Sequence, residues 1–541
     1  MSRSLVAHLV LFLTVAAGVE PSPATAAEPA SGTPAAACAS LRSGETATAF
    51  SRIPDAYTTI LSAAIQPAQR DLPETCRVEG VIAPNVGFLL YLPTSKWNGK
   101  FMLTGCGGAC GSVLPFRIEP PLVRGYAVVS TDMGHKGGTG DFSFAYNDLG
   151  AAIDFGWRST HVTAVAAKEI VAAFYARRAQ RNYYMGCSTG GRQGLMQAQQ
   201  FPEDFEGILS GAPPLDQTGD SAFHLNWIQR SNIGRDNKPI LVPGKLPLIH
   251  DAVLAACDAQ DGLKDGVLQD PSRCGWEPGA LQCKAGADPA SCLSADEVGV
   301  VRKVYSGATT SKGKALYFGM PRGSEDQWPM LLDIGNPPGS GAIGNSMLRY
   351  GSFFDFPGAA YSSLDFDYDR DPPRLAMMER LYNVTNPDLR KFRAAGGKMI
   401  SYTGWNDNNI PAGALVDYYQ TVTRTMGGEA QTKDFYRLFM LPAVNHCQYG
   451  LGGGEADWIT ALENWVEKGI APDAVIAHHM KQEPYPPIPG TFFSQMARHP
   501  LDPASFDRTR PVYAYPDVAR YPGKGDPAQA ESWTKAARPK L

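Results

Sequence analysis

Asn182-Tyr183-Tyr184-Met185-Gly186-Cys187-Ser188-Thr189-Gly190-Gly191-Arg192-Gln193 is the stretch on which the reading of this chain turns. Residues 182–185 form a short, aromatic-rich strand candidate. Residues 190–200 (GGRQGLMQAQQ) suit a helix that stops before Phe201-Pro202. Between them, Gly186-Cys187-Ser188-Thr189-Gly190 fits the pattern G-x-S-x-G. Strand, sharp turn and helix in that order is the arrangement of a nucleophile elbow, and this context carries more weight than the short pattern alone. Glycines two before and two after the serine let neighbouring backbone pass close to a strained turn. The helix N-terminus brings backbone N–H groups and the positive end of its dipole towards the reacting oxygen.

A serine hydroxyl needs a general base, and the base an orienting carboxylate. In α/β-hydrolases these follow in the order Ser, Asp/Glu, His. Residues 398–403 (KMISYT) read as a strand with Gly404-Trp405-Asn406-Asp407 behind it, and residues 435–441 (FYRLFML) as another with Asn445-His446 behind it. Acid and base candidates thus each fall in a loop after a late strand. Among the nine histidines, His8 lies in the leader, and His135 and His161 precede the serine. His478 and His479 sit in or beside a strand candidate, and His499 precedes Pro500.

The cysteines help choose His446. Local spacing suggests the pairs Cys38–Cys76, Cys257–Cys274 and Cys283–Cys292, while Cys106 and Cys110 lie close together in a Gly-rich loop. Cys187 and Cys447 remain, each the immediate neighbour of a candidate catalytic residue. If Ser188 and His446 approach to hydrogen-bond distance, about 2.6–3.2 Å, the adjacent Cα atoms can fall in the about 4.4–6.8 Å range of a disulfide.

Disulfides fit the expected address. Arg3 followed by the apolar stretch Leu5–Ala17 and small residues at Ala24–Ala27 read as an export signal over residues 1–27, so the mature protein is expected to be secreted or periplasmic. An Ala/Pro/Ser/Gly-rich leader continues to Ala37. The chain has 541 residues, beyond the roughly 250–300 at which a single core stops growing. A net charge of −4 argues against a nucleic-acid binder. Past the leader no apolar run is long enough to span a membrane.

An oxyanion hole needs two backbone donors. One expectation is the N–H of Thr189, after the nucleophile; the other is Gly107 or Gly108 in Gly105-Cys106-Gly107-Gly108, which follows the strand ending at Phe101-Met102-Leu103 and is similar to the HGGG-type loop of esterases.

Together these residues resemble the tannase and feruloyl esterase family, through the Cys187-Ser188 and His446-Cys447 doublets with Gly404-Trp405-Asn406-Asp407 between them. The resemblance covers nearly the whole mature chain; the Cys106/Cys110 pair is not part of it. It implies an α/β-hydrolase core with a large inserted lid, Ser188 as nucleophile, His446 as base and acid, and Asp407 as orienting partner. Counting from residue 188 to residue 407 gives 219 positions, too many for the few strand–helix units that usually separate nucleophile and acid. The expected division is a core over 38–215, a lid over 216–385 and a second core part over 386–541.

In the lid segment, Cys257-Asp258-Ala259-Gln260-Asp261-Gly262-Leu263-Lys264-Asp265-Gly266-Val267 spaces three carboxylates at short intervals among glycines, which suits Ca²⁺, although the register is not that of an EF-hand. The resemblance implies a structural calcium loop using the Asp258, Asp261 and Asp265 side chains and the Leu263 and Val267 carbonyls. No organic cofactor is required. The implied substrate is a small ester of an aromatic acid, feruloyl-type first, with gallate esters or a terephthalate monoester as alternatives inside the family. Outside enzymes the rival is a catalytically dead, secreted binding protein; a serine peptidase is weaker, since nothing suggests a peptide groove. Trp328, Phe353, Phe354 and Arg349 are the lid residues that could touch a substrate ring or its charge, and none stands out.

Overall fold

A computed structural model of the chain describes residues 32–113, 117–332, 340–481 and 503–538. The signal expected over residues 1–27 lies outside them. Among the described residues nine strands form one sheet: β1 (Thr58–Gln66), β2 (Thr75–Ile82), β3 (Val86–Pro93), β4 (Lys100–Thr104), β5 (Ala127–Thr131), β6 (Arg181–Cys187), β7 (Gly207–Gly211), β8 (Lys398–Gly404) and β9 (Tyr436–Leu441). Their order across the sheet is β1-β2-β3-β5-β4-β6-β7-β8-β9. β1, β2, β3 and β5 pair antiparallel, and every pair from β5–β4 to β8–β9 is parallel.

The parallel strands are buried along almost their whole length because both faces are covered. Side chains alternate between the two faces. Phe101 and Leu103, Ala127 and Val129, Ile208 and Met399 enter one core; Met102, Val128, Leu209 and Ile400 enter the other. The first face is covered by the helices Ser159–Tyr175, Thr189–Gln200 and Ala412–Thr425, the second by Trp458–Lys468. In Ser159–Tyr175 the covering stripe is Val162, Ala166, Ile170 and Phe174, four residues apart on one side of the helix, and the helix ends at Ala176 in a left-handed conformation (φ 52°). The fold is that of an α/β-hydrolase.

Between β7 and β8 the described chain is helical and contributes no strand to the sheet. It builds apolar clusters of its own, one around Ile228, Ile249, Val301 and Trp328, another around Phe223, Leu348, Phe353 and Phe366. A backbone bond from Val384 N–H to Leu215 O (2.8 Å) draws its two ends together. The three pairs suggested by local spacing, Cys38–Cys76, Cys257–Cys274 and Cys283–Cys292, are bonded, as is the long-range pair Cys187–Cys447; Cys106 and Cys110, close together in the Gly-rich loop, are bonded to each other.

This topology gathers the candidate residues. β4, β6, β8 and β9 run parallel, so the loops leaving their C-terminal ends lie on one edge of the sheet, where open α/β sheets form their sites. Those four loops carry Gly105–Cys110, Ser188, Asp407 and His446 in turn.

Candidate active site

Ser188 sits at the turn between β6 and the helix Thr189–Gln200 with φ 63° and ψ −131°, a conformation that costs a non-glycine residue about 1–3 kcal/mol. Its N–H donates to Gly211 O at 3.0 Å. The turn closes only because its neighbours lack side chains. A Cβ on Gly186 would lie 2.6 Å from the Gly190 carbonyl, and one on Gly191 would lie 2.1 Å from Gly211 O.

Asp407 is fully buried at the end of β8. Its Oδ1 accepts the amides of Asn409 and Ile410, both at 2.9 Å. His446 Nδ1 lies 2.8 Å from Oδ2 and 3.0 Å from Oδ1 of the same carboxylate. A carboxylate only accepts, so Nδ1 carries the proton and Nε2 is the basic nitrogen. The Cys187–Cys447 bond, with Cα atoms 6.0 Å apart, joins the loop of Ser188 to the loop of His446.

The Gly-rich loop is held against the elbow from several sides. Thr189 Oγ1 donates to Gly108 O at 2.7 Å. Gln193, on the helix Thr189–Gln200, accepts from Cys106 N at 3.4 Å through Oε1 and donates to Cys106 Sγ at 3.0 Å through Nε2. Ala109 N–H donates to Thr139 O (2.6 Å) and Cys110 N–H to Gly107 O (3.0 Å). Gly108 has φ +56°, and a Cβ there would lie 2.0 Å from Thr139 O. Arg117 Nη1 donates to Gly105 O at 2.8 Å, and burial pushes its guanidinium down to about 10.

Four side chains near these loops were given no role by the sequence. Buried Arg192 donates to the carbonyls of Phe155, Gly156 and Tyr382, joining the helix Thr189–Gln200 to a π-helical turn and to the chain returning towards β8. His135 Nε2 lies 2.8 Å from Ala109 O, its ring stacked on Phe144. His224 Nε2 lies 3.2 Å from Asn408 O, beside Asp407; burial pushes this imidazole down to about 4. Asp220 is buried with Oδ1 unpartnered, and burial with the nearby Asp407 charge holds its carboxyl well above the usual range. Arg192 was visible in the run after the elbow. Asp220 and His224 stand four apart in a helical stretch, and that spacing was their one signal.

The aromatics between β7 and β8 singled out in the sequence are mostly core. Trp328 is buried and donates to Ser324 Oγ (3.0 Å), and Phe353 is buried, while Phe354 is exposed. Arg349 Nε donates to Tyr361 O (2.8 Å).

In the acidic loop, Asp258 Oδ2 accepts Gly266 N–H (2.9 Å), Asp261 Oδ1 accepts Leu263 N–H (2.9 Å), and Asp265 Oδ1 accepts Val267 N–H (3.2 Å). Asp265 Oδ2 pairs with Arg510. Asp258 Oδ1 and Asp261 Oδ2 are buried and have no hydrogen-bond partner. Burial raises both carboxyls, that of Asp261 to about 6. Among the described residues no group of three or more His, Cys, Asp or Glu side chains is arranged to hold a metal ion. The two orphaned oxygens fit a hard cation; the Arg510 guanidinium on Asp265 competes with one.

A family model described as tannase and feruloyl esterase matches residues 71–536. The mono(2-hydroxyethyl) terephthalate hydrolase of Piscinibacter sakaiensis is 32% identical over 86% of this chain and 86% of its own. A probable feruloyl esterase B-2 of Aspergillus terreus is 31% identical over 74% of this chain and 78% of its own. The crystal structure of feruloyl esterase B from Aspergillus oryzae superposes with a TM-score of 0.77 at 25% identity, covering 93% of this chain and 100% of that one.

Proposed function

The chain belongs to the tannase and feruloyl esterase family, and from that premise we propose that it cleaves esters of aromatic acids through a serine acyl-enzyme. It is a carboxylic ester hydrolase. The observation that carries the mechanism is the Asp407–His446 contact at 2.8 Å, on a loop bonded through Cys447 to the neighbour of Ser188.

In this reading Ser188 Oγ attacks the ester carbonyl carbon while His446 Nε2 takes its proton. Asp407 holds the imidazole in the required tautomer and offsets the charge it gains. The carbonyl oxygen, now negative, is met by the Thr189 N–H and by Gly107 or Gly108 N–H. The tetrahedral species collapses, the C–O bond to the alcohol breaks, and His446 returns its proton to the leaving oxygen. Water, deprotonated by the same nitrogen, then attacks the acyl-serine and releases the acid. The bond from Thr189 Oγ1 to Gly108 O supports this assignment, because it draws the two donor segments together.

The acyl group is assigned as hydroxycinnamoyl, with gallate and terephthalate monoesters as the competing substrates. The terephthalate monoester stays in contention because the Piscinibacter relative is 32% identical to this chain, beside 31% for the feruloyl esterase B-2 of Aspergillus terreus. Turnover on methyl ferulate, methyl gallate and mono(2-hydroxyethyl) terephthalate decides among them. Ser188→Ala removes turnover on all three, and a fluorophosphonate probe labels only the parent; labelling of the variant, or a parent that neither reacts nor turns over, overturns the mechanism.

The lid reading assigns residues 216–385 to a cover over this edge of the sheet. A structural Ca²⁺ would be held by Asp258, Asp261 and Asp265 side chains with the Leu263 and Val267 carbonyls; the unpartnered oxygens of Asp258 and Asp261 support it. The ion would supply positive charge to a buried, mutually repelling carboxylate set. Export through residues 1–27 is in keeping with five disulfides, which persist in oxidising compartments.

A further inference from the structure

We infer that the Cys106–Cys110 disulfide is a positioning element for the oxyanion donors, setting turnover more than substrate binding or fold stability. The inference rests on the mechanism above and extends it to a feature outside the family resemblance. The bond closes a ring over four sequence steps, and inside that ring stand Gly107, Gly108 and Ala109, two of them the candidate donors.

A Cys-Gly-Gly-Ala-Cys loop without its sulfur bridge has more backbone freedom than almost any other five residues, because glycine populates both halves of φ space. A hole for developing negative charge works only if its donors are aimed before the reaction begins. Within the ring the backbone turns left-handed at Gly108 (φ 56°) and Cys110 (φ 64°), a conformation open to the glycine but disfavoured for the cysteine. Cys110 is the telling case, since a residue with a Cβ occupies the left-handed region only when its surroundings impose it.

Both cysteines are buried. The ring is gripped on three sides by contacts that act on its backbone and sulfurs. Thr189 Oγ1 binds Gly108 O at 2.7 Å, His135 Nε2 lies 2.8 Å from Ala109 O, and Gln193 Nε2 donates to Cys106 Sγ at 3.0 Å. Gln193 lies on the helix that Ser188 begins, so the sulfur is referenced to the nucleophile. Short-range bridges constrain the unfolded chain least, because the stabilisation grows with loop length. A bond across four positions therefore contributes little to global stability, and its effect falls on the local geometry of the ring.

The test is Cys106→Ala/Cys110→Ala, with Cys106→Ser/Cys110→Gly as a second variant whose residue 110 tolerates positive φ if the first fails to fold. Cys38→Ala/Cys76→Ala, which removes a bridge between the helix Pro34–Ser40 and β2, is the comparison. On 4-nitrophenyl acetate the loop variants are expected to lose about tenfold or more in kcat, short of the about 10²–10³ seen when an oxyanion donor is deleted outright, with KM within about twofold. Inhibition by an arylboronic acid, whose tetrahedral serine adduct places an oxygen in the hole, weakens in parallel. The Cys38/Cys76 variant keeps kcat and boronate affinity while its melting temperature falls. Loop variants that fold and keep parental kcat and boronate affinity overturn the inference, as does an equal loss in the Cys38/Cys76 variant. Turnover surviving in Ser188→Ala would instead defeat the underlying mechanism, so the two failures are told apart.

Discussion

Removing the Cys187–Cys447 bond, by Cys187→Ala/Cys447→Ala, separates what this bridge does for folding from what it does for chemistry. It spans 260 residues. Loop-closure entropy for a span of that length is about 5–6 kcal/mol, whereas removal of native disulfides from small domains typically costs about 2–5 kcal/mol. For a chain of 541 residues the unfolding entropy is on the order of 1 kcal/mol per kelvin near the melting temperature. The melting temperature is therefore expected to fall by only about 2–6 °C, and the variant remains folded at 25 °C.

The chemical effect is larger in proportion. His446 is held at Nδ1 by a fully buried carboxylate, and the backbone beside it is anchored to β6, next to Ser188, by the sulfur bridge. Without the bridge the His446 loop keeps the first restraint and loses the second. A misplacement of about 1 Å at a reacting group costs about 10²-fold in rate, equivalent to about 2.7 kcal/mol of barrier. The expected outcome on 4-nitrophenyl acetate is a kcat lowered about 10²-fold, KM nearly unchanged, and a melting curve shifted by those few degrees. A folded variant, verified by mass to lack both sulfurs, that retains kcat within twofold of the parent would refute the reasoning. The flanking strands would then be holding the geometry unaided.

Asp407→Asn keeps the shape of the buried acid but admits the wrong imidazole tautomer; kcat should fall about 10³–10⁴-fold at unchanged melting temperature, read by steady-state kinetics and thermal melts. Gly108→Ala sets a Cβ 2.0 Å from Thr139 O at a positive φ, and should abolish turnover while the sheet core survives, as circular dichroism would show. Stripping divalent ions with EDTA should lower the melting temperature, restored by Ca²⁺ and not by Mg²⁺, and Asp258→Asn should remove the response. Buried His224 is held near pKa 4 against 6.5 when unfolded, so the unfolded chain takes up a proton that the folded chain refuses. Its contribution is complete above pH 6.5 and is lost as pH falls towards 4, by up to about 3 kcal/mol. His224→Gln should flatten the dependence of melting temperature on pH across that window, against an opposing slope from Asp220, whose raised pKa favours the folded state at lower pH.

The strands and the candidate residues were legible for the same reason: their signals are local. A continuous apolar run such as Phe101-Met102-Leu103 has to become a strand covered on both faces, and glycine at positions 186 and 190 has to flank a turn that a side chain would block. Four of the disulfides were legible because each joins cysteines that are either near in sequence or adjacent to residues already required to meet, whereas Cys106 and Cys110 were seen only to lie close together. What escaped was of another kind. His224 and Asp220 matter through what they face, and nothing in Gly219-Asp220-Ser221-Ala222-Phe223-His224 states that this helix lies against the loop of Asp407, contributed from nearly two hundred residues further along. Arg192 likewise looks like a surface cation in a polar helix start, yet it is wholly buried because three carbonyls from the π-helical turn and from Tyr382 converge on it. Such groups are specified by the packing of the helical segment on the sheet edge. A local pattern can announce a nucleophile, but a buried charge becomes readable only once the elements that desolvate it have been set side by side.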